Sequence, residues 1–320
     1  MLRRMLSVLV VGFMLALALP GCMRRENGTN EVVVPKLNEK LTLNEEGIPE
    51  ITVYNIQEEI PKDMDIESYV EGVLAGEMKN DWPEEALKAQ AILARTYVLR
   101  FLETRDSKYD GADISTDITE AQAYSESLIN DRIRKAVSDT RGMVVSYKGE
   151  LANTWFHAHS GGVTEYPMAG LEYKENPPYT KSVKSPDSER APKNVREWSV
   201  TFSDAQMKKA LDDVGVKIDR IESIEIGETS ESGRAVNFLI NGKRVSAPSL
   251  RIALGSDKMK STLITHLNHT DNGVEFEGRG YGHGVGLSQW GAFAMAENGS
   301  TAEEIVKHYF KDVDIVSLWS

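Results

Sequence analysis

The stretch from residue 64 to residue 103 most constrains the fold, because its pattern is typical of two helices with a break between them. In the first helix, apolar residues recur at the spacing that places side chains on one helical face. That face carries Ile66, Tyr69, Val70, Val73, Leu74, Glu77 and Met78. Glu77 is therefore predicted to lie on the apolar stripe, whereas the polar face carries Asp65, Glu67, Glu71 and Lys79.

The position of Glu77 predicts unusual acid chemistry. A carboxylate held against apolar groups loses solvation in its charged form, so its pKa rises and it stays protonated near neutral pH. Such a carboxylate is typical of a general acid. Two structural alternatives remain open: Glu77 lies at a helix end that is not buried in the fold, or it pairs with Arg95.

The second helix is predicted to begin at Asp81 as N-cap, followed by Pro83 in the first turn and Glu84 three residues past the cap. Its side chains are almost all small or apolar, which is typical of a helix buried between other elements. Arg95 lies within this helix, and a buried guanidinium requires a carboxylate, a carbonyl or an anionic ligand. Arg95 therefore either pairs with an acidic side chain of the fold or binds a ligand.

A predicted β-hairpin over residues 143–158 ends in a segment with two histidines. His157 and His159 share one face of an extended chain, an arrangement compatible with two zinc ligands. A closed zinc site needs four ligands, and the chain has one cysteine, Cys22, so we predict no metal. His157 and the turn formed by residues 160–162 are instead expected to line a substrate cleft.

A glycine-rich run, GRGYGHGVGLSQWGAFAMAENG, occupies residues 278–299 and leads into a predicted helix. It matches neither of the two common nucleotide-binding glycine motifs. Glycines at this density let a ligand approach the main chain closely. The alternative is a core segment with many turns, in which Trp290 and Phe293 pack and His283 bonds to the backbone.

The first 22 residues predict export. A basic start is followed by an apolar run over residues 8–20, which is shorter than the ~20 residues of a spanning helix and fits a signal peptide. Cys22 follows a small residue, as in a bacterial lipoprotein signal, where this cysteine is lipidated; an uncleaved signal anchor is the alternative. Both place the protein at the cell membrane, with the later residues on the extracytoplasmic face. Residues 23–48 are predicted to form a polar tether.

Residues 49–320 are predicted to form one large, elongated α+β domain, in which the helical segment with Glu77 packs on antiparallel β-hairpins. Clear local signals include a helix at 203–212 with Ser203 as N-cap and a hairpin turn at Asn241-Gly242. The formal net charge of −12 argues against nucleic acid as a partner, because phosphate binding requires clustered Lys and Arg. It is compatible with a neutral glycan.

Several runs resemble the sporulation stage II protein D family, also called the amidase-enhancer-like family. They are YVEGVLAGEM at 69–78, WPEEALKAQA at 82–91, ARTY at 94–97, FHAHSGGVTEY at 156–166 and the glycine-rich run at 278–299. The resemblance covers about residues 50–320. Sporulation members are lytic transglycosylases that cut peptidoglycan glycan strands, and the glutamate of their G-E-M motif is the catalytic acid. Here that residue is Glu77.

The resemblance implies an exported, membrane-anchored lytic transglycosylase that cleaves between N-acetylmuramic acid and N-acetylglucosamine during engulfment, leaving 1,6-anhydro ends. It requires no cofactor. The implied partners are peptide-stripped glycan strands, a cell wall amidase and a membrane scaffold protein. Predicted substrate contacts are Gln90, Arg95, His157, Ser160, Gly161, Gly162, Tyr281, His283, Ser288 and Gln289. The alternative is a non-catalytic wall-binding module that stimulates an N-acetylmuramoyl-L-alanine amidase.

Overall fold

The two helices predicted for residues 64–103 are present in the computed structural model, which describes residues 32–320. Helix α1 spans Ile66–Glu77 and helix α2 spans Glu84–Thr104. The carboxylate of Asp65 caps α1 by accepting a hydrogen bond from the amide of Ser68. Pro83 precedes α2 and no side chain caps it, so the predicted N-cap at Asp81 is wrong.

The first strands form a small sheet beside α1. Strand β1 spans Glu50–Asn55, pairs antiparallel with β2 (Ile60–Asp65) and pairs parallel with β3 (Ile114–Ser115). A 3₁₀ turn at Glu126–Leu128 then leads into helix α3 (Asp131–Asp139). Because β2 continues directly into α1, this sheet fixes where α1 begins.

The predicted hairpin after α3 is confirmed in its first part only. Strand β4 (Met143–Tyr147) pairs antiparallel with β5 (Glu150–Leu151), through a turn with positive φ at Lys148 and Gly149. The chain then leaves this sheet, and the next strand, β6 (Phe156–His157), pairs elsewhere. The hairpin predicted over residues 143–158 therefore extends too far, because its second strand ends at Leu151.

The middle of the chain adds helices α4 and α5 and a group of antiparallel strands with two packed helices. Their bounds are α4 Pro167–Leu171, α5 Lys193–Arg196, β7 Glu197–Phe202, α6 Asp204–Asp213, β8 Ile224–Thr229, β9 Ala235–Ile240, β10 Lys243–Ser246, α7 Ala247–Leu254, β11 Ile264–Thr270 and β12 Gly273–Arg279. Two predictions are confirmed here. Ser203 caps α6 in a capping box with Gln206, and Asn241 and Gly242 have positive φ between β9 and β10.

The C-terminal part returns to the first helices. Strand β13 (Leu287–Ser288) pairs parallel with β6, and the remaining elements are α8 (Gln289–Glu297), α9 (Ala302–Tyr309) and β14 (Asp314–Ser317), which pairs with β4. Helix α2 is buried along most of its length because α1, α3, α8 and α9 all pack on it.

Residues 32–320 form one compact unit with two hydrophobic clusters. The first cluster combines α1, α2 and α3 with α8 and α9, and the second lies between residues 198 and 276. The predicted α+β class is confirmed. Within the described residues, no helix is both long enough and apolar enough to cross a bilayer.

The N-terminal predictions fall mostly outside the described residues. The signal segment, Cys22 and the tether up to residue 31 cannot be compared with the structure. From Val32 onwards the chain lies against the folded unit: Ile48 is buried, and Leu37 and Leu41 pack against the first cluster. Within the predicted tether, Leu37, Leu41 and Ile48 therefore contact the folded unit.

Candidate active site

Glu77 is the last residue of α1 and is partly buried. The backbone amide of Ala123 donates to its Oε1 across 2.8 Å, and the side-chain amide of Gln289 donates to its backbone carbonyl across 3.3 Å. Burial raises the pKa of Glu77 to about 7, while contacts with Ala123 and Gln289 oppose the rise. The raised pKa predicted from the apolar stripe is confirmed, so Glu77 populates both protonation states near neutral pH.

Two glycines of α1 let the segment around Ala123 approach Glu77. A Cβ on Gly76 would lie 2.7 Å from the carbonyl carbon of Ala123 and from the amide nitrogen of Tyr124. A Cβ on Gly72 would lie 2.1 Å from the ring of Tyr124. Heavy atoms do not approach this closely, so a side chain at Gly76 requires the backbone of this segment to move, whereas one at Gly72 requires the ring of Tyr124 to move. The glycine-containing face of α1 thus positions the amide that contacts Glu77.

Gln289 follows Ser288, which bonds to a buried carboxylate that the sequence did not single out, Asp187. The hydroxyl of Ser288 donates to Oδ1 of Asp187 across 2.6 Å, and Ser288 also caps α8. Asp187 accepts further hydrogen bonds from the hydroxyls of Ser160 (2.5 Å) and Ser185 (2.8 Å) and from the amide of residue 162 (3.1 Å). Its side chain is only 4% exposed. No local pattern distinguishes Asp187 from the other acids of its loop.

These contacts change the interpretation of three predicted substrate contacts. Ser160 and Ser288 are buried and direct their hydroxyls at Asp187, whereas Gly162 is exposed and donates to Asp187 through its backbone amide. Gly161 is packed against Leu263, because a Cβ there would lie 2.7 Å from Cδ2 of that residue. Within the turn at residues 160–162, Ser160 and Gly161 are therefore packed against other residues, whereas Gly162 is exposed.

Arg95 is not available to a ligand. Its side chain has 0% exposure and donates from Nε and Nη2 to the two carboxylate oxygens of Glu67, across 3.0 and 2.5 Å. Glu67 also accepts from the amide of Gly142 (3.0 Å) and from the indole of Trp319 (2.9 Å). The predicted substrate contact at Arg95 is therefore contradicted, and the alternative of an internal ion pair holds. The helical pattern predicted Glu67 on the polar face of α1, but the residue is buried.

The two histidines predicted to contact substrate face the glycine-rich segment instead. Nδ1 of His157 lies 3.0 Å from the carbonyl of Val285, and Nδ1 of His283 accepts from the amide of the same residue at 3.0 Å. Burial lowers the pKa of His157 well below its usual range and that of His283 to about 3. Both rings are therefore neutral. His283 bonds to the backbone, as expected if the glycine-rich run is a core segment with many turns.

The remaining predicted residues have different surroundings. Gln90 is fully buried in α2, and both atoms of its amide lack a protein partner. Tyr281 is half-buried, and its backbone pairs with that of His159. Over residues 32–320, no three side chains of the metal-binding types come together. Of the predicted substrate contacts, Gln289 is the one that the structure brings into contact with Glu77.

Comparison with known proteins identifies the family. A family model described as Stage II sporulation protein matches residues 54–147, which include Glu77 and Ala123. The chain is 31% identical over 288 residues to stage II sporulation protein D of Bacillus amyloliquefaciens, covering 86% of this chain and 80% of that protein. The chain belongs to the stage II sporulation protein D family. The resemblance seen in the sequence runs is thereby confirmed, and the protein is a member of a family involved in sporulation.

Two further relatives and a second family model extend the comparison. Stage II sporulation protein D of Bacillus subtilis strain 168 is 30% identical over 281 residues, 83% of this chain and 78% of that protein. The amidase enhancer of the same organism is 28% identical over 303 residues, 78% of this chain and 40% of that protein. A domain family of unknown function matches residues 180–286, which contain the second hydrophobic cluster.

Proposed function

We propose that this family member is an exported, membrane-anchored peptidoglycan lytic transglycosylase with Glu77 as its catalytic acid. The observation that supports this most directly is the pKa of Glu77, about 7, on a partly buried carboxyl at a helix end. A group with that pKa supplies a proton and then accepts one near neutral pH, as general acid-base catalysis requires.

The proposed reaction cleaves the bond between C1 of N-acetylmuramic acid and O4 of N-acetylglucosamine. The carboxylic acid of Glu77 donates its proton to the glycosidic oxygen, the C1–O bond breaks, and N-acetylglucosamine leaves with a free hydroxyl. The carboxylate then accepts the proton of the C6 hydroxyl, whose oxygen bonds to C1. The product is a 1,6-anhydro sugar, Glu77 regains its proton, and water is not consumed.

The proposed route needs fewer catalytic groups than hydrolysis. Hydrolytic glycosidases generally use two carboxylates that flank the scissile bond. The groups that contact Glu77 directly are the amide of Ala123 and the side-chain amide of Gln289. A single acid is sufficient for the intramolecular reaction, because the substrate supplies its own nucleophile.

The cellular setting that we propose follows the sequence signals and the relatives. The predicted N-terminal signal or anchor would hold the folded unit on the extracytoplasmic face of the cell membrane. There it would degrade septal peptidoglycan during engulfment, together with a cell wall amidase and a membrane scaffold protein. The similarity to a protein named amidase enhancer supports the amidase as a partner.

The same similarity supports a second candidate function, a non-catalytic wall-binding module that stimulates an N-acetylmuramoyl-L-alanine amidase. The two functions differ in whether the carboxyl of Glu77 is needed. Only the transglycosylase generates anhydro ends by itself.

The deciding experiment is mass spectrometry of products from peptide-stripped peptidoglycan incubated with the purified protein. We expect anhydro-muramyl products with the wild type and with Glu71→Gln, a control on the same helix, and none with Glu77→Gln. A parallel assay adds an amidase and intact peptidoglycan. Stimulation of the amidase by Glu77→Gln, together with no cleavage by the wild type, would establish the wall-binding module instead.

A further inference from the structure

A surface groove of about 690 Å³ with exposed isoleucines lies between the turn that joins β1 to β2 and the loop over residues 116–127. Ile118 is 67% exposed and Ile56 is 40% exposed, although isoleucine is usually buried. Ile60 pairs with Asn55 of the lining and is 46% exposed. Apolar side chains exposed together on one face indicate an interaction surface, whereas scattered ones do not.

Two polar side chains of the groove are already bonded within the protein. The carbonyl oxygen of the Asn55 side chain accepts from the amide of residue 57 across 2.9 Å, and its amide group donates to Glu58 across 3.2 Å. The hydroxyl of Thr116 accepts from the amide of Ile56 across 3.1 Å. Engaged side chains have little capacity left for the hydroxyls of a sugar. The groove therefore favours a ligand that contacts it through apolar groups.

The charges of the groove limit the ligand further. Its charged lining residues are both acidic, Glu58 and Glu126, and Glu58 pairs with Lys62 across 2.6 Å outside the lining. Burial and the carboxylates of Glu126, Glu71 and Glu58 raise the pKa of the Tyr124 phenol, which lies in the wall. A surface with several carboxylates attracts basic groups and repels anionic ones.

The loop that forms one wall of the groove is held against α1. The amide of Ser125 donates to the carbonyl of Gly72 across 2.9 Å, and the ring of Tyr124 packs against the same glycine. The preceding residue, Ala123, donates its amide to the carboxylate of Glu77 across 2.8 Å. A wall held at several points keeps its geometry when a partner binds, which lowers the entropic cost of binding.

We propose that this groove docks the cell wall amidase, through a segment of the amidase that carries apolar side chains flanked by Lys or Arg. Ile56 and Ile118 contact the apolar side chains, and the carboxylates of Glu58 and Glu126 attract the basic ones. A second copy of this chain fits less well, because a symmetric contact brings the same acidic surface against itself and the chain has a formal net charge of −12. The identity of the partner rests on the proposed function.

The test measures the Kd of the purified cell wall amidase for the full-length protein by biolayer interferometry. The groove variant carries Ile56→Ser and Ile118→Ser. We expect its Kd to rise by roughly tenfold or more, because truncation of central apolar contacts weakens an interface by that order. The matched control is Ile252→Ser, which replaces a 69% exposed isoleucine on α7, and its Kd should stay unchanged.

A second variant, Glu126→Lys, tests the charge of the groove. We expect its association rate constant to fall at low salt, and the difference from the wild type to shrink as ionic strength rises, because salt screens exposed charges. The control is Glu150→Lys, which makes the same charge change at an exposed glutamate of β5 and should change this rate constant less. Equal association rates for Glu126→Lys and the wild type would overturn a basic partner.

The outcomes separate the docking surface from the proposed reaction. An unchanged Kd in the groove variant overturns the surface, and no binding by the wild type overturns the amidase as its occupant. Loss of glycan cleavage in the groove variant, with unchanged amidase affinity, assigns the groove to the glycan and also overturns docking. Weaker amidase binding by the groove variant, with no anhydro products from the wild type, supports the surface and refutes the reaction. Equal urea midpoints for all variants confirm that folding is intact, as expected for exposed positions.

Discussion

Ala123 and Glu77 are 46 residues apart in the sequence, and the amide of the first donates to the carboxylate of the second across 2.8 Å. This hydrogen bond stabilises the charged carboxylate, whereas burial destabilises it. Burial has the larger effect, so the pKa settles at about 7. The loop that carries Ala123 therefore controls the acid strength of Glu77.

The first prediction concerns the pH dependence of glycan cleavage. Because the proposed acid must be protonated, kcat/KM should fall above an apparent pKa of about 7, with a slope of roughly tenfold per pH unit. Initial rates on peptide-stripped glycan from pH 5 to pH 9 test this. A profile that is flat from pH 6 to pH 9 would contradict the assignment of Glu77 as the acid.

The second prediction concerns stability against pH. Glu77 has a higher pKa in the folded chain (about 7) than its ordinary value of 4.5, so the folded state binds more protons between these values. The free energy of unfolding therefore falls as Glu77 ionises. By pH 8 the loss is on the order of 3 kcal/mol. Glu77→Gln should gain stability relative to the wild type as pH rises from 4.5 to 8.

Urea unfolding of both proteins at several pH values measures this difference. Glu150→Gln, which removes one charge from an exposed glutamate, is the control and should show no such trend. A constant difference between the wild type and Glu77→Gln across this pH range would mean that Glu77 is not desolvated in the folded chain.

The third prediction separates the two glycines of α1. Gly76→Ala places a methyl group against the backbone of Ala123, which cannot turn aside, whereas Gly72→Ala meets the ring of Tyr124. Both should destabilise the fold, by about 1–3 kcal/mol. Only Gly76→Ala should displace the amide that lowers the pKa of Glu77, so the alkaline limb of its activity should move above pH 7. If the alkaline limbs of the two variants' pH–activity profiles coincide, the contact with Ala123 does not set the pKa of Glu77.

The fourth prediction concerns the buried ion pair. Arg95→Ala leaves the carboxylate of Glu67 buried without its cation, which should cost roughly 3–5 kcal/mol of unfolding free energy. Arg100→Ala, on the same helix, removes a partly exposed pair with Glu103 and should cost less than about 1 kcal/mol. Urea unfolding distinguishes the two. A small loss in Arg95→Ala, combined with weak glycan binding, would restore Arg95 as a ligand contact.

The fifth prediction concerns Asp187. Its replacement by Ala leaves the buried hydroxyls of Ser160 and Ser288 without their acceptor, which should cost roughly 2–4 kcal/mol. Asp187→Asn retains part of this acceptor capacity and should lose less. The exposed Asp106→Ala serves as the control for removal of one carboxylate. Thermal or urea unfolding of the four proteins gives the order directly.

Local patterns predicted much of the secondary structure. The apolar periodicity of residues 66–78 indicated α1 and placed Glu77 on its apolar stripe, and the turn residues Asn241 and Gly242 indicated the hairpin between β9 and β10. These signals depend on residues within a few positions of one another. The weaker boundary prediction at Asp81 failed because Pro83 is itself the residue before α2.

The buried polar contacts could not be read in the same way. Glu67 shares the polar side of α1 with solvated acids, yet it is buried because Arg95, Gly142 and Trp319 converge on it. The sequence spacing of His157 suggested an exposed cleft, whereas pairing of β6 with β13 places it against Val285. In both cases the residues that contact the side chain lie far away in the sequence, so no local pattern predicts them.

The sequence by itself determined the α+β class, the family and the helix that carries Glu77, because these follow from short-range periodicity and from recognisable runs. The tertiary structure decided which groups touch Glu77: Ala123 from one loop and Gln289 from the start of α8, 212 residues away in the chain. The physical reason is that desolvation and hydrogen bonding depend on what packs around a carboxyl group. That packing exists only once distant segments of the chain have come together.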